Sequence, residues 1–361
     1  MPAGPARLDD MMSENANPAL SVLDLVPVRT GQTSAQAVTA SMAMARRADQ
    51  LGYRRYWFAE HHNMPAVAST APPVLIAAAA GVTERIRVGS GGVMLPNHSP
   101  LIVAEQFAAL SALAPGRIDL GIGRAPGSDP VITQLLRRSG TTSDVERFPE
   151  HVTDIVSLVS PEGATVRFVS GGEYQVRATP AATDVPEVWL LGSSDYSAQL
   201  AAQLGLPYVF ANHFAGDGLE RAMALYRSGF QASEARPAPK SFLTTNVVVA
   251  PTAEEARERA LPQARQFARM RTNKPMRPME TVDEALAEKP DALEQSLIEQ
   301  TMSRWIIGTP DDAAAQLRAF AATHEVDEIM VSAVAGSYAS EPLDAPEGRV
   351  QTLELLAAAL G

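Results

Sequence analysis

Polar side chains that could move protons or bind an anion follow directly after several apolar runs in this chain. The runs have the length and composition of strands that are buried on both faces. An imidazole titrates near neutral pH, which suits it to acid–base work, and a guanidinium is suited to binding phosphate or carboxylate. Four of the six histidines stand at these positions. The polar groups that end the runs are Glu60, His61 and His62; Asn97 and His98; Arg124; Ser193 and Ser194; and Asn212 and His213.

Two adjacent histidines, His61 and His62, follow Glu60 at the end of one run. The three residues could ligate a metal, but neighbouring residues on a strand point to opposite faces, which makes a chelate from both rings awkward. We therefore expect no metal site. A single imidazole that faces the mouth of the fold is better suited to general acid–base catalysis. Glu60 either orients that imidazole or forms an ordinary salt bridge.

A glycine and two serines at 192–194 lie between a predicted strand and a predicted helix. The first N–H groups of a helix have no partner within it, so this turn could bind a phosphate, although the same residues also make an ordinary helix cap. Arg124, at the end of a neighbouring strand, would supply the positive charge. The segment GIGRAPG at 121–127 has GxGxxxG spacing and precedes no apolar helix, which argues against a dinucleotide motif and for a tight turn.

The elements that position these groups alternate between strand and helix. Residues 86–127 show the pattern most clearly, with a buried strand, a helix over 101–113 and a second short strand. A helical crossover makes the two strands parallel, and the carboxyl ends of parallel strands form the edge where α/β folds carry their chemistry. The eight predicted strands cover residues 20–26, 55–59, 86–94, 118–122, 188–191, 208–211, 242–249 and 328–334.

Eight such strands predict an α/β fold, a (β/α)8 TIM barrel with insertions, although a doubly wound open sheet has the same alternation. A hairpin at 165–177 is expected as one excursion from the barrel. Residues 271–301 contain several prolines and methionines and are expected as a second insertion or lid, under which substrate would enter. Residues 1–18 are expected to be a flexible tail and 19–361 a single domain.

Composition excludes several classes of protein. The 361-residue chain has no cysteine, which excludes disulfides and thiolate chemistry. Its net charge of −11 argues against nucleic acid or an anionic membrane as partner, because both are bound through excess basic surface. No apolar run reaches the ~18 residues that a membrane helix needs, and the first residues lack a secretory signal. We therefore expect a cytoplasmic protein.

Four segments together resemble the bacterial luciferase-like flavin-dependent monooxygenases, and most of all the short, single-component luciferase-like oxidoreductases. Their order and spacing make the resemblance specific over nearly the whole chain. It implies a β/α barrel that binds FMN at the carboxyl ends of its strands, usually as a homodimer. The segments are AEHH (59–62), VGSGGVMLPNHSPLIVAEQFAALSALAPGRIDLGIGRA (88–125), VWLLGSSDYSAQLAAQLGLPYVF (188–210) and WIIGTPDDAAAQL (305–317).

The resemblance assigns residues to the phosphate of the flavin. Arg124 matches the arginine that binds this phosphate. Ser193, Ser194 and Ser197 match the phosphate-binding turn and the first residues of the helix after it. The resemblance therefore adds Ser197 to the turn already noted and supplies a ligand for it.

The resemblance also assigns the ring end of the site. His61 matches the active-site histidine that acts as a base, and Gly91 and Gly92 match a non-prolyl cis peptide beneath the flavin ring. His213 falls near the segment that faces the ring. Gly123 stands where the luciferase catalytic subunit has a reactive cysteine, so we do not expect light emission.

The sequence therefore predicts an FMN-dependent oxidoreductase of the monooxygenase type, acting on a small organic substrate with molecular oxygen. A separate flavin reductase would supply reduced FMN, which carries the difficult chemical step. Two alternatives remain open. Relatives on this barrel use a deazaflavin for dehydrogenation without oxygen, and others bind flavin without turnover.

Overall fold

The computed structural model describes residues 17–138, 145–182, 184–214 and 216–361. In chain order the strands in these residues are β1 (Ala19–Asp24), β2 (Arg55–Phe58), β3 (Arg87–Met94), β4 (Ile118–Gly123), β5 (Ala164–Arg167), β6 (Glu173–Val176), β7 (Glu187–Gly192), β8 (Tyr208–Phe210), β9 (Ser241–Val249), β10 (Ile306–Gly308) and β11 (Glu328–Ala333). The α-helices are α1 (Ser34–Gln50), α2 (Pro72–Val82), α3 (Pro100–Leu113), α4 (Pro130–Arg138), α5 (Phe148–Leu158), α6 (Asp195–Gln203), α7 (Leu219–Gly229), α8 (Ala253–Arg271), α9 (Val282–Ala287), α10 (Ala292–Met302), α11 (Pro310–Thr323) and α12 (Glu347–Leu360).

Eight parallel strands close into a barrel. The strands pair in the order β1, β2, β3, β4, β7, β8, β9 and β11, and β11 pairs with β1 to complete the ring. The predicted (β/α)8 TIM barrel with insertions is confirmed, and the open sheet is excluded. Each of the eight predicted strands is present, with bounds shifted by at most two residues.

A ninth parallel strand, β10, lies outside the ring and was not predicted. The long strand β9 pairs with β8 and β11 along its first part, and its last residues, Val247–Val249, pair with β10. Three residues are too few to show a strand periodicity in the sequence. The strand β10 forms because the last residues of β9 extend beyond β8 and offer it a free edge.

Buried aromatic rings and ions fill the amino-terminal end of the barrel. Arg55, 3% exposed, lies 2.8 Å from Glu328, 2.9 Å from Asp119 and 3.3 Å from Glu187, three carboxylates at strand starts. Its guanidinium also lies 4.7 Å from the ring centre of Trp189. A buried charge is tolerated when it is paired in this way. This end of the barrel is therefore packed shut, and space remains at the carboxyl ends of the strands.

Both predicted insertions are present as ordered elements. The hairpin is formed by β5 and β6, which pair antiparallel. Residues 271–301 form α9 and α10, each opened by a capping box, and α10 packs against α8. The main chain of Met279 bonds to that of Val28 at 2.7 Å and of Thr30 at 2.8 Å, which joins this insertion to the loop after β1.

Most of the predicted tail, residues 1–16, lies outside the described residues. Asn17 is described, and its side chain donates to the carbonyl of Leu360 at 2.6 Å and accepts from Arg318 at 2.7 Å. Within the described chain, every helix is either too short or too polar to cross a membrane.

Candidate functional site

A cavity of about 510 Å³ opens at the carboxyl ends of β3, β4, β7 and β8. Its volume lies in the usual range for small-molecule and cofactor sites. The eight residues that the sequence assigns to catalysis or cofactor binding all line this cavity: His61, Gly91, Gly92, Arg124, Ser193, Ser194, Ser197 and His213. The other polar residues noted at strand ends are not among its lining residues: Glu60, His62, Asn97, His98 and Asn212. The structure therefore brings together groups that are up to 152 positions apart in the sequence.

The floor of the cavity is backbone without side chains. The peptide bond between Gly91 and Gly92 is cis, as the resemblance predicts. A Cβ on Gly92 would lie 2.8 Å from the carbonyl oxygen of Gly121, and a Cβ on Gly91 would lie 2.7 Å from Leu23 Cδ1. The contact at Gly92 is with main chain, so glycine is required there for β3 to lie this close to β4, whereas the contact at Gly91 is with the end of a leucine side chain that can shift. The resulting surface can accept a planar ring.

The predicted anion site is formed by the N-terminus of α6. Ser194 is the N-cap residue, and its hydroxyl makes no capping bond, so it is available to a ligand together with the first amides of the helix. Ser193 lies beside it in the cavity wall. Ser197 Oγ donates to the Ser194 carbonyl at 2.8 Å and lies 3.2 Å from Tyr208 Oη. Ser197 therefore supports the turn in this structure.

Arg124 lies beside the same helix N-terminus. Its guanidinium carbon is 4.0 Å from the ring centre of Tyr196, a residue in the first turn of α6. This side chain is exposed, and no carboxylate in the described part of the chain lies within ion-pair distance of it. A stacked guanidinium without a counter-ion next to a helix N-terminus is suited to binding a phosphate.

His61 supplies an unpartnered ring nitrogen. Its Nδ1 is buried and has no hydrogen-bond partner among the residues described, while its main-chain N–H donates to Ser69 at 3.0 Å. Burial lowers the pKa of His61, an effect that the nearby Glu60 only partly offsets. The imidazole is therefore neutral at pH 7 and can accept a proton.

His213 also lines the cavity and is held in place by Thr244. Its Nδ1 is 2.6 Å from Thr244 Oγ1, and the Thr244 hydroxyl donates to the Phe210 carbonyl at 3.2 Å. We therefore assign the Nδ1 proton to the bond with Thr244, which leaves Nε2 as an acceptor. Burial and the proximity of His61 lower the pKa of His213 to about 4. The cavity thus contains two neutral imidazoles.

Glu60 does not orient His61. Its Oε1 accepts from His62 Nε2 at 2.9 Å and from His98 Nε2 at 2.8 Å, and its Oε2 accepts from the Met94 amide at 3.0 Å. Burial would raise the pKa of this carboxyl, but the hydrogen bonds outweigh burial and bring the pKa to about 2. The carboxylate instead contacts His62 and His98, and these contacts are salt bridges only when the imidazoles are protonated. They tie the end of β2 to the end of β3.

Sequence reasoning missed Tyr196 and Thr244. Three polar residues, Thr244, Thr245 and Asn246, interrupt the apolar strand FLTTNVVV. The first and third point to the same face, and this was a readable signal. Tyr196 carried no comparable signal, because its role depends on where Arg124 lies in space. No group of three metal-ligating side chains is found in the part of the chain that the structure describes.

A smaller cavity of about 90 Å³ adjoins the first, and the two share Leu23 and His213 in their walls. It is lined by the ends of β9 and β11, by α8, and by Met279 of the second insertion.

The larger cavity fits FMN in three respects. It has a cation beside a helix N-terminus, a flat glycine floor and neutral imidazoles.

Comparison with known proteins shows which family this chain resembles. The luciferase-like monooxygenase family model matches residues 19–324. A luciferase-like monooxygenase of Escherichia coli (strain K12) is 40% identical over 317 residues, which cover 87% of this chain and 91% of that protein. An N-acetyl-S-alkylcysteine monooxygenase of Bacillus subtilis (strain 168) is 38% identical over 239 residues, which cover 66% of this chain and 69% of that protein.

Solved structures agree with this relationship. The crystal structure of apo-MsnO8 matches with a TM-score of 0.82 at 35% identity, and the match covers 95% of this chain and 98% of that chain. Two more distant structures share the fold alone. They are the oxygenating constituent of 3,6-diketocamphane monooxygenase from Pseudomonas putida in complex with FMN (TM-score 0.68, 18% identity, 95% of this chain and 98% of that chain) and an F420-dependent secondary alcohol dehydrogenase (TM-score 0.65, 14% identity, 96% and 99%).

The resemblance drawn from the sequence is therefore confirmed. A family model that spans most of the chain and a relative of 40% identity lead to the same conclusion. This chain belongs to the luciferase-like monooxygenase family.

Proposed function

We propose that this chain is an FMN-dependent monooxygenase that uses reduced FMN and molecular oxygen on a small organic substrate. The observation that carries the proposal is the grouping of four features around one cavity. These are the uncompensated guanidinium of Arg124, the α6 N-terminus, the glycine floor and the unpartnered Nδ1 of His61.

In the proposed complex, the protein holds the phosphate of FMN at one end of the cavity. Arg124, with Tyr196 behind its guanidinium, neutralises part of the phosphate charge. The hydroxyls of Ser193 and Ser194 and the first amides of α6 donate to the phosphate oxygens. Ser197 keeps the turn in shape through its bond to the Ser194 carbonyl.

The other end of the cavity holds the ring and moves protons. Gly91 and Gly92 form the surface against which the ring lies, because no side chain projects there. His61 accepts and returns a proton, and His213 contributes a second, fixed acceptor in the same cavity. FMN, when bound, would supply the electrons for the reaction with oxygen. Apolar residues of the cavity wall, among them Leu190, Leu191 and Met330, would limit the water around these groups.

Titration with oxidised and reduced FMN tests the proposal. We expect Arg124→Ala to weaken FMN binding by about 10- to 100-fold, the loss typical of a hydrogen bond to a charged group. The matched control is Arg46→Ala, which removes an exposed arginine on α1 that does not line the cavity. We expect His61→Ala to leave FMN affinity nearly unchanged and to slow turnover. Equal affinity for wild type and Arg124→Ala would remove the phosphate assignment.

Turnover assays separate the proposal from its alternatives. With FMN, NADH and a flavin reductase, which we propose as the source of reduced FMN, substrate-dependent oxygen uptake is expected. Substrate oxidation with a deazaflavin and without oxygen uptake would identify a dehydrogenase instead. Tight FMN binding without any substrate oxidation would identify a flavin-binding protein. N-acetyl-S-alkylcysteines are the first substrates to test, since the Bacillus subtilis relative is named for them.

We also propose that the chain forms a homodimer. The support is a group of exposed apolar side chains on two neighbouring helices, α2 and α3. Val74 is 69% exposed, Ile102 50% and Leu113 70%. The two helices contact each other, and exposed apolar side chains on adjoining helices are typical of a protein interface. Light scattering after gel filtration should give a dimer for wild type and a monomer for Ile102→Glu, and a monomeric wild type would contradict the proposal.

A further inference from the structure

Arg29, one of the residues that line the smaller cavity, carries a positive charge that no carboxylate among the described residues balances. This residue lies in the loop after β1 and is only 7% exposed. Its guanidinium donates to three main-chain carbonyls, those of Tyr338 at 2.6 Å, Glu341, and Pro342 at 3.0 Å. A guanidinium has five N–H groups, so two of them have no partner within the described residues. No carboxylate in that part of the chain lies within ion-pair distance of Arg29.

The other charged groups that line this cavity are paired. Arg349 forms an ion pair with the buried Asp24. Glu280 lies 2.7 Å from Arg265 and 3.3 Å from Arg269. Arg29 therefore supplies the one uncompensated charge among the described residues of this wall. Keeping such a charge out of water is costly unless an anion accompanies it.

The rest of the wall is largely apolar, and two of its residues are shared with the larger cavity. Leu25, Phe267, Met279 and Ala335 contribute apolar surface. At the other side, Leu23 and His213 belong to the walls of both cavities. A molecule bound at Arg29 could thus extend past apolar side chains to the space beside the glycine floor.

We infer that the smaller cavity binds the carboxylate end of an organic anion, with the carboxylate on Arg29 and an apolar chain directed toward Leu23 and His213. The substrate class is therefore a small carboxylic acid with an apolar remainder. This assignment rests on the proposed function in one respect only, namely that the larger cavity is where the substrate reacts. The binding itself requires no flavin.

Calorimetric titration of the flavin-free full chain with hexanoate and hexanamide tests the inference. The two probes have nearly the same shape and differ in charge. We expect hexanoate to bind wild type on the order of tenfold or more tightly than hexanamide, as for a charge-assisted hydrogen bond. Equal affinities for the two probes in wild type would overturn the inference without the use of any variant.

Three variants test whether Arg29 causes the preference for hexanoate over hexanamide. Arg29→Met should abolish the preference for hexanoate, and Arg29→Lys should keep part of it, because the charge remains and the planar fork is lost. Gln263→Leu is the matched control, since this uncharged residue lines the same cavity, and it should retain the preference. A preference that survives in Arg29→Met would overturn the inference.

Two further measurements separate this inference from the proposed function. Arg29→Met should bind FMN as wild type does, which also shows that the variant is folded. Arg124→Ala should lose FMN affinity and keep its preference for hexanoate. If wild type does not bind FMN, the proposed function alone is contradicted. If wild type does not prefer hexanoate to hexanamide, the carboxylate site alone is contradicted.

Discussion

The substitution Glu60→Gln tests how the mouth of the barrel is held together. Glu60 is fully buried, and its carboxylate joins the end of β2 to the loop after β3 through His62, His98 and the Met94 amide. Glutamine has almost the same shape but no charge. Its amide nitrogen would either face the donating N–H of Met94 or displace one imidazole, so one buried donor would lose its acceptor.

The pKa of Glu60 gives the magnitude. Its fall from an ordinary 4.5 to about 2 corresponds to about 3 kcal/mol, at about 1.4 kcal/mol for each tenfold change in proton affinity. Because the pKa is lower in the folded state, this stabilisation is fully present above about pH 4.5 and is lost as the pH falls toward 2. We therefore expect Glu60→Gln to lower the free energy of unfolding by about 2–4 kcal/mol at pH 7.

Urea denaturation followed by circular dichroism at pH 7 and pH 3 measures this effect. The control is Glu84→Gln, an exposed carboxylate for which no ion pair is seen in the described residues, and its change should stay within about 0.5 kcal/mol. The difference between wild type and Glu60→Gln should shrink at pH 3. A loss below about 0.5 kcal/mol at pH 7, or a loss that does not depend on pH, would refute the assigned hydrogen bonds.

Three other substitutions give separate tests. Gly92→Ala should lower the free energy of unfolding by about 1–3 kcal/mol and weaken FMN binding, because its Cβ would lie 2.8 Å from a main-chain oxygen. Its control is Gly81→Ala, whose Cβ would have nothing within 4 Å and which should stabilise α2 by about 0.5–1 kcal/mol in the same urea assay. The turnover rate of wild type should fall only below pH 6.5, since burial lowers the pKa of His61. His61→Gln should remove this pH dependence. A midpoint above pH 6.5 for wild type would contradict a buried base. Arg55→Met should cost about 1–3 kcal/mol in thermal or urea unfolding, because Asp119 and Glu328 each lose a buried charged partner and keep only Arg87 and Arg54, and a neutral result would contradict their burial.

The fold could be predicted because its strands are short, mostly apolar segments that alternate with stretches of helical periodicity. Runs such as 55–59 and 242–249 are buried on both faces, so their composition alone distinguishes them from the loops around them. Residues 306–308 had no such signal, because this strand depends on the overhang of its neighbour. The local sequence predicts strands and helices that form the core. It does not predict a strand pairing that depends on the length of a neighbouring strand far away in the sequence.

The positions of the site residues could be predicted better than their partners. Parallel strands place their ends on one rim, so the order of elements was enough to group Arg124 with 192–194. The bonds of Glu60 could not be derived in this way, since they depend on the approach of His98 from another loop. Arg29 was not selected at all, because it lies in an ordinary loop and its charge matters only where the chain encloses it.

The plug of ions and aromatic rings around Arg55 has a kinetic consequence. Since the described residues close that end of the barrel, a molecule enters and leaves the cavities on the side of the carboxyl ends of the strands. Product and fresh substrate would then have to share that side. A product that departs slowly would hold the next molecule outside, and this waiting time, more than the chemical step, would limit how fast successive turnovers can follow one another.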